Sequence, residues 1–170
     1  MVLPYSVSSD YTKQNLLEMQ KALHRRTARL CFILSLLGVA LFVLGNIISN
    51  GFCIFCGIFW WLFFMAMRNQ PARKNSRNTA KSHLKHYGKP VTTTVKFYNT
   101  MLTAQNETTG SQTKCNFDEV EKLYLTNHLL ILQLPDRVAL MVDRRNMDAN
   151  EDKELFELLA EKCVNAQKIV

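Results

Sequence analysis

The chain has 170 residues and a formal net charge of +7, from 21 Lys and Arg against 14 Asp and Glu. Residues 1–89 hold 12 basic and two acidic residues, whereas residues 90–170 hold nine basic and 12 acidic residues. No charged residue occurs from Leu30 to Met67, a run of 38 residues. This distribution argues against a uniformly basic nucleic-acid-binding surface and against a single soluble domain.

The first predicted segment, residues 1–27, combines a short strand with a helix. Val2–Val7 is predicted to be a short strand, because Tyr5 and Val7 alternate with Pro4 and Ser6. A lone short strand needs a partner, so we expect it to pair with the carboxy-terminal sheet. Ser8, Ser9 and Asp10 are suitable N-caps for a helix that carries Tyr11 and several leucines and runs on into the next segment.

Residues 28–68 are predicted to form a two-helix transmembrane hairpin. Leu30–Ile48 would be roughly 28 Å long as a helix and Gly51–Met67 roughly 25 Å, lengths close to the ~30 Å hydrocarbon core of a bilayer. Ser49 and Asn50 supply the turn between them. The alternative, one long helix buried in a soluble core, is disfavoured because the rest of the chain offers too little core to cover it.

Basic residues flank both apolar stretches and set the expected orientation. Positive residues near the ends of a membrane span stay in the cytoplasm, so we expect two spans in the plasma membrane with both termini cytoplasmic. The same residues are candidates for lipid-headgroup binding, at about 1 kcal/mol for each cation near an anionic leaflet, although topology alone also explains them. They are Arg25, Arg26, Arg29, Arg68, Arg73, Lys74 and Arg77.

The last two segments are a basic connector, residues 69–90, and a cytoplasmic α+β domain, residues 91–170. In the connector we expect a short helix that ends at Gly88. The domain is predicted to hold an antiparallel sheet and a closing helix capped at Asp148 or Asn150. The predicted strands are Val91–Tyr98, Met101–Gln105, Gln112–Phe117, Val120–Leu125, Leu129–Leu134 and Val138–Val142.

Few residues have the spacing that catalysis or metal binding requires. Cys53 and Cys56 form a CxxC, but inside the second apolar stretch, where small apolar filler is the better interpretation. His83 and His86 share one helix face without a third ligand nearby, and a solvated basic helix is favoured. The acidic residues around Asp118 and Asp143 fit ion pairs or turns. The sequence therefore predicts no catalytic residues, no metal site and no cofactor.

The arrangement resembles the YcxB-like family of bacterial membrane proteins over nearly the whole chain. The similar motifs are Tyr5-Ser-Val-Ser-Ser-Asp10-Tyr11, Val95-Lys-Phe-Tyr98, Leu129-Leu-Ile-Leu132 and Leu134-Pro135-Asp-Arg137. The turn after the first predicted domain strand differs, with Asn99 and Thr100 in place of the family's usual glycine. The resemblance implies a small sheet-and-helix domain similar to a pleckstrin-homology fold, and it carries over no catalytic residues.

Three functions remain open on sequence grounds. The first is a non-enzymatic interaction or regulatory protein that presents its domain at the inner face of a bacterial membrane. The second is an immunity protein against a toxin or peptide, and the third is a membrane-bound enzyme that uses His83, His86 or the Asp118–Glu121 carboxylates. The expected partners are membrane lipids and an unidentified protein, with no nucleic acid. The aromatic second span fits either a second copy of the chain or lipid.

Overall fold

The computed structural model describes residues 3–169 of the chain. In chain order the elements are β1 (Tyr5–Asp10), α1 (Lys13–Leu23), α2 (Arg25–Ile47), α3 (Gly51–Met67), α4 (Gln70–Tyr87), β2 (Thr92–Phe97), β3 (Met101–Asn106), β4 (Gln112–Asn116), β5 (Lys122–Leu125), β6 (Leu129–Gln133), β7 (Ala139–Asp143), α5 (Ala149–Lys162) and β8 (Gln167–Ile169). They form two compact units. The sheet unit comprises Met1–Met19 and Asn78–Val170, and the helical unit comprises Gln20–Arg77.

The sheet unit confirms the predicted α+β class, with two four-stranded sheets instead of one. The first sheet has the order β1-β2-β3-β4, and the second has the order β7-β6-β5-β8. Alternate residues of both sheets point into a shared core, where Val95, Phe97, Leu102 and Leu132 are fully buried. Helix α5 adds Leu155 and Leu159 to the same core. The sheets and α5 therefore enclose one hydrophobic core.

Strand β1 pairs with the carboxy-terminal sheet as predicted, but over different residues. Its register with β2 is antiparallel and runs from Tyr5 opposite Phe97 to Asp10 opposite Thr92. The prediction that Ser8, Ser9 and Asp10 cap a helix was wrong, because these residues continue the strand. The Ser9 side chain is buried and its hydroxyl accepts a hydrogen bond from the Asp143 N–H, 2.8 Å away. Val2, where the predicted strand began, lies outside the described residues.

Helices α1 to α4 are all inserted between two neighbouring strands. Asp10, the last residue of β1, lies opposite Thr92, the first residue of β2. The pairing continues one step further, since the Tyr11 N–H donates to the Val91 carbonyl at 2.8 Å. The chain therefore leaves the first sheet and returns to it at adjacent positions.

Helices α2 and α3 lie where the two helices of the hairpin were predicted. Two helical stretches, Arg25–Ile47 and Gly51–Tyr87, are long and apolar enough to cross a membrane. Only His24 separates α1 from α2, which confirms the predicted near-continuous helix. The predicted turn is also present, with Ser49 at φ 51° and the Asn50 side chain accepting hydrogen bonds from the N–H groups of Phe52 and Cys53.

The connector is more helical than the sequence indicated. Helix α4 occupies Gln70–Tyr87, and Pro71 does not break it, because a proline in the first turn of a helix lacks only an N–H that has no helical partner there. Arg68, between α3 and α4, has helical dihedral angles of −49° and −44°. The helix ends before Gly88, whose φ is +69°, as predicted.

The end of the chain differs from the expectation that it closes with a helix. Strand β8 follows α5 and pairs in parallel with β5, with Lys122 opposite Gln167 and Tyr124 opposite Ile169. This pairing makes the second sheet mixed instead of purely antiparallel. The strand is three residues long and largely exposed, so it lacks the apolar alternation by which sequence analysis finds strands.

Candidate functional site

The helical unit is built on a close antiparallel contact between α2 and α3. Glycines make the contact possible because they let the two backbones approach each other. A Cβ atom added at Gly57 would lie 2.5 Å from the Phe42 backbone nitrogen, and one added at Gly38 would lie 2.7 Å from the Trp61 nitrogen. Trp60 also donates a hydrogen bond from Nε1 to the Leu34 carbonyl at 3.0 Å. The backbones of the two helices are therefore in close contact near the middle of each helix.

Apart from this contact, the helical unit presents apolar side chains outward. Phe52 is 75% exposed and Phe55 is 67% exposed, and most Leu, Ile, Val, Phe and Trp residues of both helices are also exposed. Soluble monomers rarely expose contiguous apolar patches larger than a few hundred Å². Within the described residues no protein covers this surface, which has the character of one that meets an apolar medium.

A band of cations lies at the open end of the helix pair. We call it the basic collar and define it by the seven candidate residues predicted from the sequence: Arg25, Arg26, Arg29, Arg68, Arg73, Lys74 and Arg77. Two contacts bring the start of α2 next to the residues that follow α3. His24 Nε2 lies 3.4 Å from Asn75 Nδ2, and the Arg68 guanidinium lies 5.5 Å from the centre of the Phe32 ring. This register places the two groups of basic residues side by side.

The collar lies in a stretch of the sequence without acidic residues. All seven side chains belong to exposed residues, and the stretch Gln20–Arg77 contains no Asp or Glu. Clustered cations attract anions, and low-dielectric surroundings strengthen that attraction. The collar is therefore suited to an anionic surface or headgroup.

A groove opens beside the glycine contact. We call it the hairpin groove. Its volume is about 290 Å³, and its lining residues are Gly38, Val39, Phe42, Gly57, Ile58 and Trp61. The lining contains no charged or hydrogen-bonding side chain other than the amphipathic Trp61, so an occupant of this space must be apolar along most of its length.

The sheet unit holds a polar cluster that the sequence did not reveal, in which Ser9, Asn15 and Asp143 are buried and Arg145 is exposed. Asn15 of α1 donates from Nδ2 to the Asp143 carboxylate at 3.2 Å and to the Asp10 carbonyl at 2.9 Å. Arg145 donates to both oxygens of Asp143 and, at 2.7 Å, to the Asn15 Oδ1. We call these residues, with Ser9, the polar joint. The joint fixes the start of α1 to the end of β7.

Electrostatics within the joint favour a charged Asp143. Burial alone would raise the pKa of its carboxyl group, but the hydrogen bonds and the charge of Arg145 outweigh burial and hold that pKa below its usual value. The pKa of the Arg145 guanidinium is correspondingly raised, first by its hydrogen bond to Asp143. Both groups are already fully engaged with protein partners, which fits a structural role.

The two histidines singled out by the sequence do not lie in a metal-binding cluster. His83 contacts the Tyr11 ring, with centroids 6.3 Å apart, and burial lowers the pKa of its imidazole. His86 is exposed and contacts Tyr87. Among the described residues, no three His, Cys, Asp or Glu side chains are grouped so that they could hold a metal ion.

Cysteines of the sheet unit have the properties of unreactive thiols. Cys115 and Cys163 are buried. Burial, followed by the hydrogen bond to Glu119, raises the pKa of the Cys115 thiol to about 12, and burial raises that of Cys163 to about 11. A thiol needs a lowered pKa to act as a nucleophile, so neither residue is suited to that role.

The carboxylates considered for catalysis have structural partners or face solvent. Glu119 accepts a hydrogen bond from the Asn116 N–H at 2.9 Å, and that bond lowers the pKa of its carboxyl group. Asp118 and Glu121 are exposed. Arg144, next to Asp143, instead forms a 2.5 Å ion pair with Asp152 of α5.

Comparisons with protein-family models, with curated proteins and with solved structures found no match to this chain. A function for this chain therefore has to be inferred from the geometry of its own residues. Sequence analysis found the basic collar but missed two features beside it, the Phe32 ring under Arg68 and the hairpin groove. A glycine on each helix was the available signal for close packing.

Proposed function

We propose that the protein is a membrane-anchored, non-enzymatic interaction or regulatory protein of a bacterial cell membrane. The hairpin of α2 and α3 spans the bilayer twice, and both termini and the sheet unit are cytoplasmic. The sheet unit is presented to a protein partner at the inner face of the membrane, while the basic collar contacts lipid headgroups.

The observation that carries this proposal is the combination of an exposed apolar helix pair with a cluster of exposed cations, the basic collar, at one end. Apolar side chains exposed over two helix lengths favour insertion into a bilayer. Cations confined to one end favour the cytoplasmic leaflet, which carries anionic lipids. The adjacent positions of Asp10 and Thr92 support the same orientation, because both ends of the inserted helices then return to one side.

We also propose that the chain is related to YcxB-like proteins and that its sheet unit resembles a pleckstrin-homology fold, and the order of its elements is compatible with this. Four antiparallel strands form one sheet, three antiparallel strands continue into a second, and a helix follows the seventh strand. Strand β8 adds to this arrangement at the edge of the second sheet.

Topology is tested with alkaline phosphatase, which is active only outside the cytoplasm, inserted at two turns. We expect activity after Asn50, in the turn between α2 and α3, and none after Gly110, in the exposed β3–β4 turn. The protein should also stay in the membrane fraction after carbonate washing. Activity at Gly110, or release by carbonate, would contradict the proposed anchoring.

The interaction role is tested by purifying the full chain from detergent. We expect a reproducible protein partner that is retained when an unrelated two-helix hairpin replaces Leu30–Met67 and is lost when the sheet unit is replaced. Repeated purification without any specific partner would count against an interaction module while leaving the topology result intact.

A further inference from the structure

The hairpin groove lies on one side of the helix pair and is shaped by glycines at the contact. Its walls are Val39 and Phe42 on α2 and Ile58 and Trp61 on α3. These side chains are part of the exposed apolar surface. Once the hairpin is in a bilayer, such a groove is open to lipid chains along its length.

Helical spacing aligns this groove with one cation of the collar. Phe32 precedes Val39 by seven residues, and Arg68 follows Trp61 by seven residues. Seven residues complete nearly two turns, so each pair falls on the same helix face within about 20°, with a rise of about 10 Å. The 5.5 Å contact between Arg68 and the Phe32 ring joins these two faces directly above the groove.

The charge of Arg68 and the distance of the groove from it then favour one kind of occupant. The groove is apolar, the side chain at its collar end is cationic, and no carboxylate occurs in Gln20–Arg77 to neutralise it. Half of a ~30 Å hydrocarbon core is about 15 Å, so a groove that lies about 10 Å from Arg68 is within reach of an acyl chain whose headgroup is at the collar.

We propose that the hairpin groove binds an acyl chain of an anionic phospholipid whose phosphate is held by Arg68. This inference rests on the proposed membrane insertion and adds a lipid class and a binding position to it. Arg68 supplies the headgroup preference, because lipid chains themselves gain little from leaving other lipid chains. Other collar residues contribute a general attraction to the anionic leaflet.

Tryptophan fluorescence tests the proposal, since the chain contains only Trp60 and Trp61. The W60F variant of the full chain keeps Trp61, in the groove, as its single reporter. It is reconstituted in vesicles that contain a small fraction of phospholipid brominated on its acyl chains, either phosphatidylglycerol or phosphatidylcholine. Bromine quenches tryptophan only at short range, so quenching reports which lipid occupies the groove.

We expect brominated phosphatidylglycerol to quench Trp61 at about one fifth of the mole fraction needed for phosphatidylcholine, the factor expected from one cation at an anionic surface. Arg68→Gln should remove most of this preference, leaving the general attraction of the other collar residues, and Arg68→Lys should retain most of it. The matched comparison is Arg77→Gln, which removes a collar cation nine residues beyond Arg68 and should weaken the preference much less than Arg68→Gln does.

Equal quenching by the two lipids, or an Arg77→Gln effect as large as that of Arg68→Gln, would overturn the proposal. The W61F variant, which reports from Trp60 outside the groove lining, should show a smaller headgroup preference than the W60F variant. Quenching of Trp60 but not Trp61 would place protein, such as a second copy of the chain, in the groove and would also overturn it. Absence of quenching at both positions would contradict membrane insertion itself, so the two failures are distinguishable.

Discussion

Asp143 illustrates how a single residue connects distant parts of the chain. Its carboxylate bonds Arg145, two residues away, and Asn15, 128 residues away, while its N–H bonds Ser9. Because the group is buried, removal of its charge leaves Arg145 and Asn15 without the acceptor around which they are arranged. Asp143 therefore connects α1 to the end of β7.

We predict that Asp143→Asn lowers the free energy of unfolding by about 1–3 kcal/mol, because it replaces a charged acceptor in the polar joint. The folded-state pKa of Asp143 is lowered, so its contribution is present above the unfolded value of about 3.9 and is lost as the pH falls through the lower folded value. The variant should therefore lose less stability than the wild type on acidification below about pH 4. Thermal unfolding of the full chain in detergent, measured from pH 7 to pH 3, tests both points.

Asp118→Asn is the matched control, since Asp118 is exposed and only its backbone carbonyl is hydrogen-bonded, to Asn165. It should change stability by less than about 0.5 kcal/mol. If Asp143→Asn were equally mild at pH 7, the polar joint would not hold α1.

At the scale of elements, the α2–α3 pair depends on the absence of side chains at the crossing. The atoms that a new Cβ would meet at Gly57 are backbone atoms of Phe42 and Gly38, which cannot rotate away. The helices would have to separate, and the groove beside them would change shape.

We predict that Gly57→Ala destabilises the helical unit by about 1–3 kcal/mol through overpacking. Gly51→Ala should have little effect, because nothing lies within 4 Å of a Cβ at that position. The measurement is the thermal change in Trp60 and Trp61 fluorescence in detergent micelles. Similar melting temperatures for the two variants would mean that the crossing can open at little cost.

The sequence predicted the elements better than their connections. Uncharged length revealed α2 and α3, and alternation revealed β2 to β7, because both signals are local. Partners such as Asn15 and Asp143 share no local pattern, and Phe32 looked like one apolar residue among many. Ser9 was misassigned because a serine before a helix resembles an N-cap, while its burial against Asp143 depends on the tertiary fold.

For the whole molecule, the division into two units has a direct consequence for folding. The sheet unit contains its own core and both sheets, and the helical unit is the single chain segment Gln20–Arg77. The retained parts of α1 and α4 keep Leu16 and the polar joint in place. Because the sheet unit has its own hydrophobic core, we expect it to fold as an independent domain.

We predict that replacing Gln20–Arg77 with a flexible linker of about ten Gly and Ser residues gives a soluble protein that unfolds cooperatively. Size-exclusion chromatography and near-ultraviolet circular dichroism of this variant test the prediction. A matched deletion that also removes Lys13–Met19 should be less stable, because it loses Asn15. Aggregation of both variants would show that the sheet unit needs the helices to fold.

The insertion of all four helices between β1 and β2 also orders events during synthesis. Thr92 and Asp10, which bond through their side chains, are 82 residues apart. At roughly 5–20 residues per second the ribosome needs roughly 4–16 s to deliver the partner of β1. The hairpin is synthesised during that interval, before β2, so β1 remains without its partner strand until β2 is made. The first sheet can close only after the hairpin has been synthesised, so the proposed membrane insertion would place assembly of the domain at the membrane surface.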